Sequence, residues 1–156
     1  MATSTLFALV DTLVAELSTA LPSVQVYDGF GISEDASDFL MVGVEDPNGS
    51  EATSADVAQE WHGLGAKSRL EAGTITCAAL AWRGNPGDAG QGEARAAAAA
   101  IVAAVESHLR ADPNLGGLVP GLMWVGFGTR LRLVQDQTDA GPYALVVFDI
   151  AFKSKI

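Results

Sequence analysis

The stretch "ARAAAAAIVAAVESHLRADPNLGG", residues 94–117, constrains the fold of this chain more than any other. Alanine is the strongest helix former, and Ala94, Ala97, Ala98, Ile101, Val102, Val105 and Leu109 recur on one stripe of the expected helix. Asp88 followed by Gln91 resembles a capping box that launches it, and Arg110 and then Asp112-Pro113 mark its end. The first half of the stripe has almost no side chain, which lets the backbone approach a sheet closely. The larger residues further along fill a wider gap.

The remaining pattern supplies that sheet. Leu6, Val10, Leu13, Val14, Leu17 and Leu21 recur at helical spacing after Thr3, Ser4 or Thr5 as cap, and Pro22 stops the run. "VQVYDGF" (24–30) and "FLMVGVE" (39–45) read as strands. In "RLEAGTITCAALAWRG" (69–84), Leu70, Thr74, Thr76, Leu80 and Trp82 alternate with Glu71, Ile75, Cys77 and Ala81, so both faces of the strand are partly covered. "LMWVGFGTRLRLVQD" and "YALVVFDIAFKSKI", separated by "QTDAGP", form a final strand pair. Ala144, Val146, Phe148, Ile150 and Phe152 give its last strand a core face. The order predicts one α+β domain over residues 1–156: a two-layer fold whose antiparallel or mixed sheet carries two main helices on one face. The polar, glycine-punctuated segment 46–65 is long for a compact domain and is expected to project as a loop or hairpin arm.

Nineteen acidic against nine basic residues give a net charge of -10, which opposes unguided attraction to nucleic acid or an anionic membrane. Asp35, Asp38, Glu45, Asp46, Asp56 and Glu60 all precede the first basic residue, Lys67, and form a candidate acidic lumen or interface. The plainer reading of such a run is a solvated surface. Cys77, the single cysteine, lies in an apolar strand and reads as a buried thiol, so the expected compartment is a reducing cytoplasm. Neither a basic-then-apolar leader nor a bilayer-length apolar run is expected.

Site motifs are sparse. His62 and His108 have no partner at metal-ligand spacing, and "DPNGS" (46–50) begins like a calcium loop but places Val57 where the bidentate glutamate belongs. The glycine-rich stretches lack the lysine and hydroxyl of a phosphate loop, and no serine sits in a nucleophile elbow. Neither cofactor nor catalytic residue is therefore expected. Trp61, Arg69, Arg83, Trp124, Arg130 and Arg132 are candidate interface residues, since aromatics and arginines are enriched at interface centres. Arg130 and Arg132 share one parity of their strand and read either as a solvent face with long basic side chains or as a surface that meets the acidic region of another copy; on the second reading, reversing Arg132 is expected to weaken assembly and leave the monomer folded.

The opening helix ending at Leu21-Pro22, "VQVYDGF", "FLMVGVEDP", the Trp61 arm, "TITCAALAWRG", the helix ending "HLRADPNLGG" and the closing strand pair together resemble the tail terminator proteins of long-tailed bacteriophages, also called minor tail or tail completion proteins. The resemblance covers nearly the whole chain. It implies a homohexameric ring in the tail or neck of a virion, assembled in the host cytoplasm. Such a ring caps the tail tube, halts addition of tube protein and offers a joining surface to the head-tail connector, while DNA passes through its centre without specific binding. It implies no membrane partner, no cofactor and no catalytic residue. Another neck or tail-tube ring component is the alternative within the same assembly class. A small cytoplasmic α+β enzyme is the alternative outside it.

Overall fold

The computed structural model describes residues 3–31, 37–46, 52–63, 67–84 and 88–156. Its elements run α1 (Leu6–Ala20), β1 (Gln25–Asp28), β2 (Asp38–Val42), β3 (Ala55–Trp61), β4 (Arg69–Trp82), α2 (Asp88–Ala111), a 3-10 turn (Leu115–Gly117), β5 (Leu122–Thr138) and β6 (Gly141–Lys155). The strands form one sheet in the order β1-β2-β4-β6-β5, with β3 paired to β4. All pairings are antiparallel except β1 with β2, so the sheet is mixed.

β4 and β6 are the spine. They pair without interruption from Leu70↔Lys155 to Trp82↔Tyr143. The other edge of β4 is divided: β3 covers Arg69 to Ile75 and β2 covers Cys77 to Ala81. We call the Arg69 end of the sheet lower and the Trp82 end upper. Ala55–Trp61, expected inside a projecting arm, is therefore a strand lying along the lower half of β4. Residues 47–51 and 64–65 of that expected arm lie outside the described residues.

Both helices pack on one face, as the stripes require. Leu9, Leu13 and Leu17 of α1 and Ala94, Ala98, Ile101, Val102, Val105 and Leu109 of α2 share a core with Ile75, Cys77, Ala79 and Ala81 of β4 and with Ala144, Val146, Phe148, Ile150 and Phe152 of β6. Ala94 and Ala98 of α2 are fully buried against the sheet, whereas Ala96, Ala99, Ala100 and Ala103 face outward and are exposed. Gln91, expected to close a capping box, donates from Nε2 to the Tyr143 carbonyl (3.1 Å) and ties the helix start to the upper end of β6. On α1 the Ser4 hydroxyl accepts from the Leu6 N–H (3.0 Å), whereas Thr5 makes no side-chain cap bond.

A buried carboxylate fixes the start of α1. Glu71 lies on the core parity of β4 and is 1% exposed. The Thr5 N–H donates to its Oε1 (2.9 Å), Gln59 Nε2 to its Oε2 (2.6 Å) and the Ser154 hydroxyl to its Oε1 (3.1 Å). Burial by itself would push this carboxyl up. The bonds from Gln59, Ser4, the Thr5 N–H and Ser154 together outweigh burial and hold it below the usual carboxylate value.

Gly141 closes the β5–β6 turn at φ 116°, where an added Cβ would lie 2.2 Å from the Arg83 carbonyl oxygen. Only glycine meets both demands, the left-handed backbone and the close approach to the end of β4.

Two outcomes follow for stability. Ala98→Leu overpacks the helix–sheet contact and is expected to cost about 1 to 3 kcal/mol, read from the urea midpoint at constant m-value. Glu71→Ala leaves the Thr5 N–H and the Ser154 hydroxyl without their acceptor and is expected to cost about 2 to 4 kcal/mol. Because the folded carboxyl is lowered, its contribution is complete above the ordinary glutamate value and is lost as pH falls through the lowered one. Glu71→Gln is therefore expected to flatten that part of the acid limb in pH-dependent unfolding.

Candidate assembly surface

The face of the sheet away from the helices carries the side chains that the core does not use. Its upper part is apolar. Met41, Val44, Ala78, Leu145 and Val147 form a second cluster, joined by Tyr27, Leu80, Val134 and Tyr143. A groove of about 460 Å³ opens there, lined by Phe30, Met41, Val44, Ala78, Leu80 and Leu145 with Glu45 and Ser54 as its polar members. Phe30 stands 74% exposed beside it.

An ion cluster occupies the middle of the same face. Asp46, on the loop after β2, is 4% exposed and pairs with Arg132 of β5. Arg130 reaches Asp149 of β6 (2.9 Å) and lies 3.7 Å from Asp46. The Thr76 hydroxyl accepts from Arg130 (3.2 Å) and donates to Asp149 (3.4 Å). The local cause is an irregularity in β5: Phe127 pairs with Ile150 and Leu131 with Phe148, so residues 128–130 bulge opposite Asp149. An added Cβ at Gly128 would lie 2.8 Å from the Asp149 backbone oxygen, so the absent side chain gives the bulge its room. The cluster links the loop after β2 with β4, β5 and β6 through charge-assisted bonds, and because Asp46 is buried, loss of its arginine partner leaves a buried charge uncompensated.

The expected site residues thus fall into three places. Arg83 and Asp38 pair with each other at the upper end (2.7 Å). Arg130, Arg132 and Asp46 form the central cluster, with Glu45 exposed beside the groove. Trp61, Arg69, Asp56 and Glu60 lie on β3 and the adjoining start of β4, where the Arg69 guanidinium sits 5.5 Å from the Trp61 ring centroid. Trp124 lies across the lower sheet on β5 and is 39% exposed. Asp35 lies outside the described residues. Arg132 and Arg83, expected to reach another copy, engage carboxylates of their own chain. Parity marked their face but held no information on which acid would arrive beside them.

The edges of the sheet carry what sequence reading missed. Nothing among the described residues pairs with the outer side of β5 or of β3. Half of the eight exposed large hydrophobic side chains among the described residues, Met123, Trp124, Leu131 and Leu133, lie on β5 alone. The signal was present in the sequence, since Met123, Leu131 and Leu133 share one parity of β5 and Trp124 lies on the other, but only an edge position leaves those residues bare.

Burial pushes the Cys77 thiol up to about 12, which keeps it protonated beneath the helices. Among the described residues no group of three or more His, Cys, Asp and Glu is placed to hold a metal ion, and no helix is long and apolar enough to cross a membrane.

No protein-family model and no curated protein matches this chain. In structure it is similar to a chain of the solved "Virion of native gene transfer agent (GTA) particle", with a TM-score of 0.62 over 98% of this chain and 99% of that chain, at 16% sequence identity. At that identity the likeness is one of fold, and it spans both chains from end to end.

The ion cluster makes a sharp prediction about Arg132. Arg132→Glu sets a second carboxylate against buried Asp46, so the expected outcome is a loss of about 3 to 5 kcal/mol in monomer stability by urea denaturation. An unchanged midpoint would restore the expectation that this arginine acts only between copies.

Proposed function

We propose that this chain is a structural protein of a phage-type virion, a tail terminator that assembles as a homohexameric ring. The ring caps the tail tube, stops its elongation and presents a joining surface to the head-tail connector. The observation that carries the reading is the end-to-end agreement of fold with a chain of a virion. The free edges and bare hydrophobic side chains of the sheet support it, because a protein whose work is assembly needs large surfaces to bury against neighbours.

The mechanism is steric and electrostatic. A ring seated on the tube occupies the surface that the next tube ring would need, so elongation ends without any chemical step. Trp61, Arg69 and Trp124 serve as contacts to neighbours, while Arg83, Arg130 and Arg132 hold the contacting surface in shape from within the chain. The exposed acids Glu45, Asp56 and Glu60, with Asp35, add to a net charge of -10 that keeps DNA from adhering as it passes.

The test combines mass in solution with tube capping. Full-length protein is sized by light scattering, then added to purified, growing tail tubes viewed by negative-stain electron microscopy. Rings at tube ends and a narrowed distribution of tube lengths are expected. Protein that binds along tube walls, or leaves tube lengths unchanged, would overturn the terminator role.

A further inference from the structure

The two ends of the sheet differ in what they expose. At the lower end Phe7 lies in the first turn of α1, Trp61 closes β3, Leu118 follows the 3-10 turn and Met123 stands near the start of β5, each more than half exposed. With Trp124 beside Met123, these are five of the eight exposed large hydrophobic side chains among the described residues. The other three, Phe30, Leu131 and Leu133, lie at or above the middle of the sheet. Backbone pairing gathers the five: Trp61 opposes Arg69, and the Arg69 N–H donates to the Ile156 carbonyl (2.7 Å). The Lys155 N–H donates to the Gly121 carbonyl (2.8 Å), and Glu71 holds the Thr5 N–H next to them.

Charge is divided in the same way. All three lysines of the chain, Lys67, Lys153 and Lys155, are exposed at the lower end, with Arg69 beside the Trp61 ring. None of these four cations has an ion pair among the described residues. Glu60 and Asp112 are the carboxylates near them that the core does not bury, since Glu71 is enclosed by its own donors. At the upper end the balance is reversed: exposed Glu93, Asp136 and Asp139 stand against exposed Arg95, and none of the eight hydrophobic side chains is found there.

We infer that the lower end is a docking face for a protein surface with an apolar centre and a rim of carboxylates. This rests on the ring reading, under which that surface is the open end of the tail tube, and it assigns the end of each subunit that the tube meets. Apolar side chains bordered by long cations have the anatomy of a protein interface: the aromatic and aliphatic groups hold the partner, and the rim charges steer it into place. A polyanion would meet the same lysines, but a net charge of -10 repels it. A protein surface also supplies the apolar contact that Trp61, Leu118 and Met123 lack.

The experiment titrates the full chain onto purified tail tubes and counts capped ends by negative-stain electron microscopy, with mass in solution and the urea midpoint as checks on ring and fold. Leu118→Glu with Met123→Glu is expected to raise the concentration for half-capping by about tenfold or more while mass and midpoint hold. Lys67→Glu, Lys153→Glu and Lys155→Glu together are expected to weaken capping and to abolish the further weakening that added salt causes in the wild type. Glu93→Lys with Asp139→Lys, at the upper end, is expected to leave capping unchanged. Lower-end variants that cap as the wild type does would overturn this docking face and leave the ring reading intact. Loss of capping confined to the upper-end variant would do the same and assign the tube to the other end. Wild-type binding to phosphatidylglycerol vesicles or double-stranded DNA, lost in the lysine variant, would overturn the protein partner. A wild type that caps no tube would overturn both the face and the terminator role.

Discussion

The pairing of β4 with β6 is the constraint from which the rest of the structure hangs. Thirteen consecutive register pairs hold these strands together, and each alternate residue is committed to one face or the other. One parity, with Cys77, Ala79, Val146 and Phe148, accepts the two helices. The other, with Ala78, Leu145, Val147 and Asp149, forms the floor of the helix-free face. A slip of one residue would exchange the two sets and leave α2 nothing flat to lie on. The alanines of α2 depend on this pairing in turn, since a small-residue face gains contact only where the opposing surface is smooth and near.

Charge is handled differently on the two faces. Beneath α1 a single carboxylate, Glu71, is satisfied by neutral donors and anchors the first helical turn. On the helix-free face, Asp46 and Asp149 meet two arginines that rise from the irregular middle of β5. Each arrangement joins an element at the periphery to the spine. Both therefore act as registry devices, setting where a helix or an edge strand sits against a sheet whose apolar contacts alone would permit sliding.

An edge strand as long as β5 is a hazard for a protein meant to stay alone, and such edges are commonly shortened, charged or covered. Here the edge is long, bulged at one height and bare of acidic side chains along its lower half.

The sequence by itself determined the elements and their inward faces. Alanine content and the spacing of Ile101, Val105 and Leu109 specified α2, and the parity of Val146 to Phe152 specified the core side of β6, because helix and strand periods are local properties of the chain. The charge balance was equally legible. Tertiary structure alone decided that β1 runs parallel to β2, that Ala55–Trp61 lies along β4, that Glu71 is buried, and that Arg132 and Arg83 turn to Asp46 and Asp38. These depend on which distant segments become neighbours, and residue patterning fixes which side of a strand faces inward without fixing which strand lies beside it. The edge carrying Trp124 and Leu133 belongs to the same class: being bare is a consequence of position in the sheet, which no window of sequence contains.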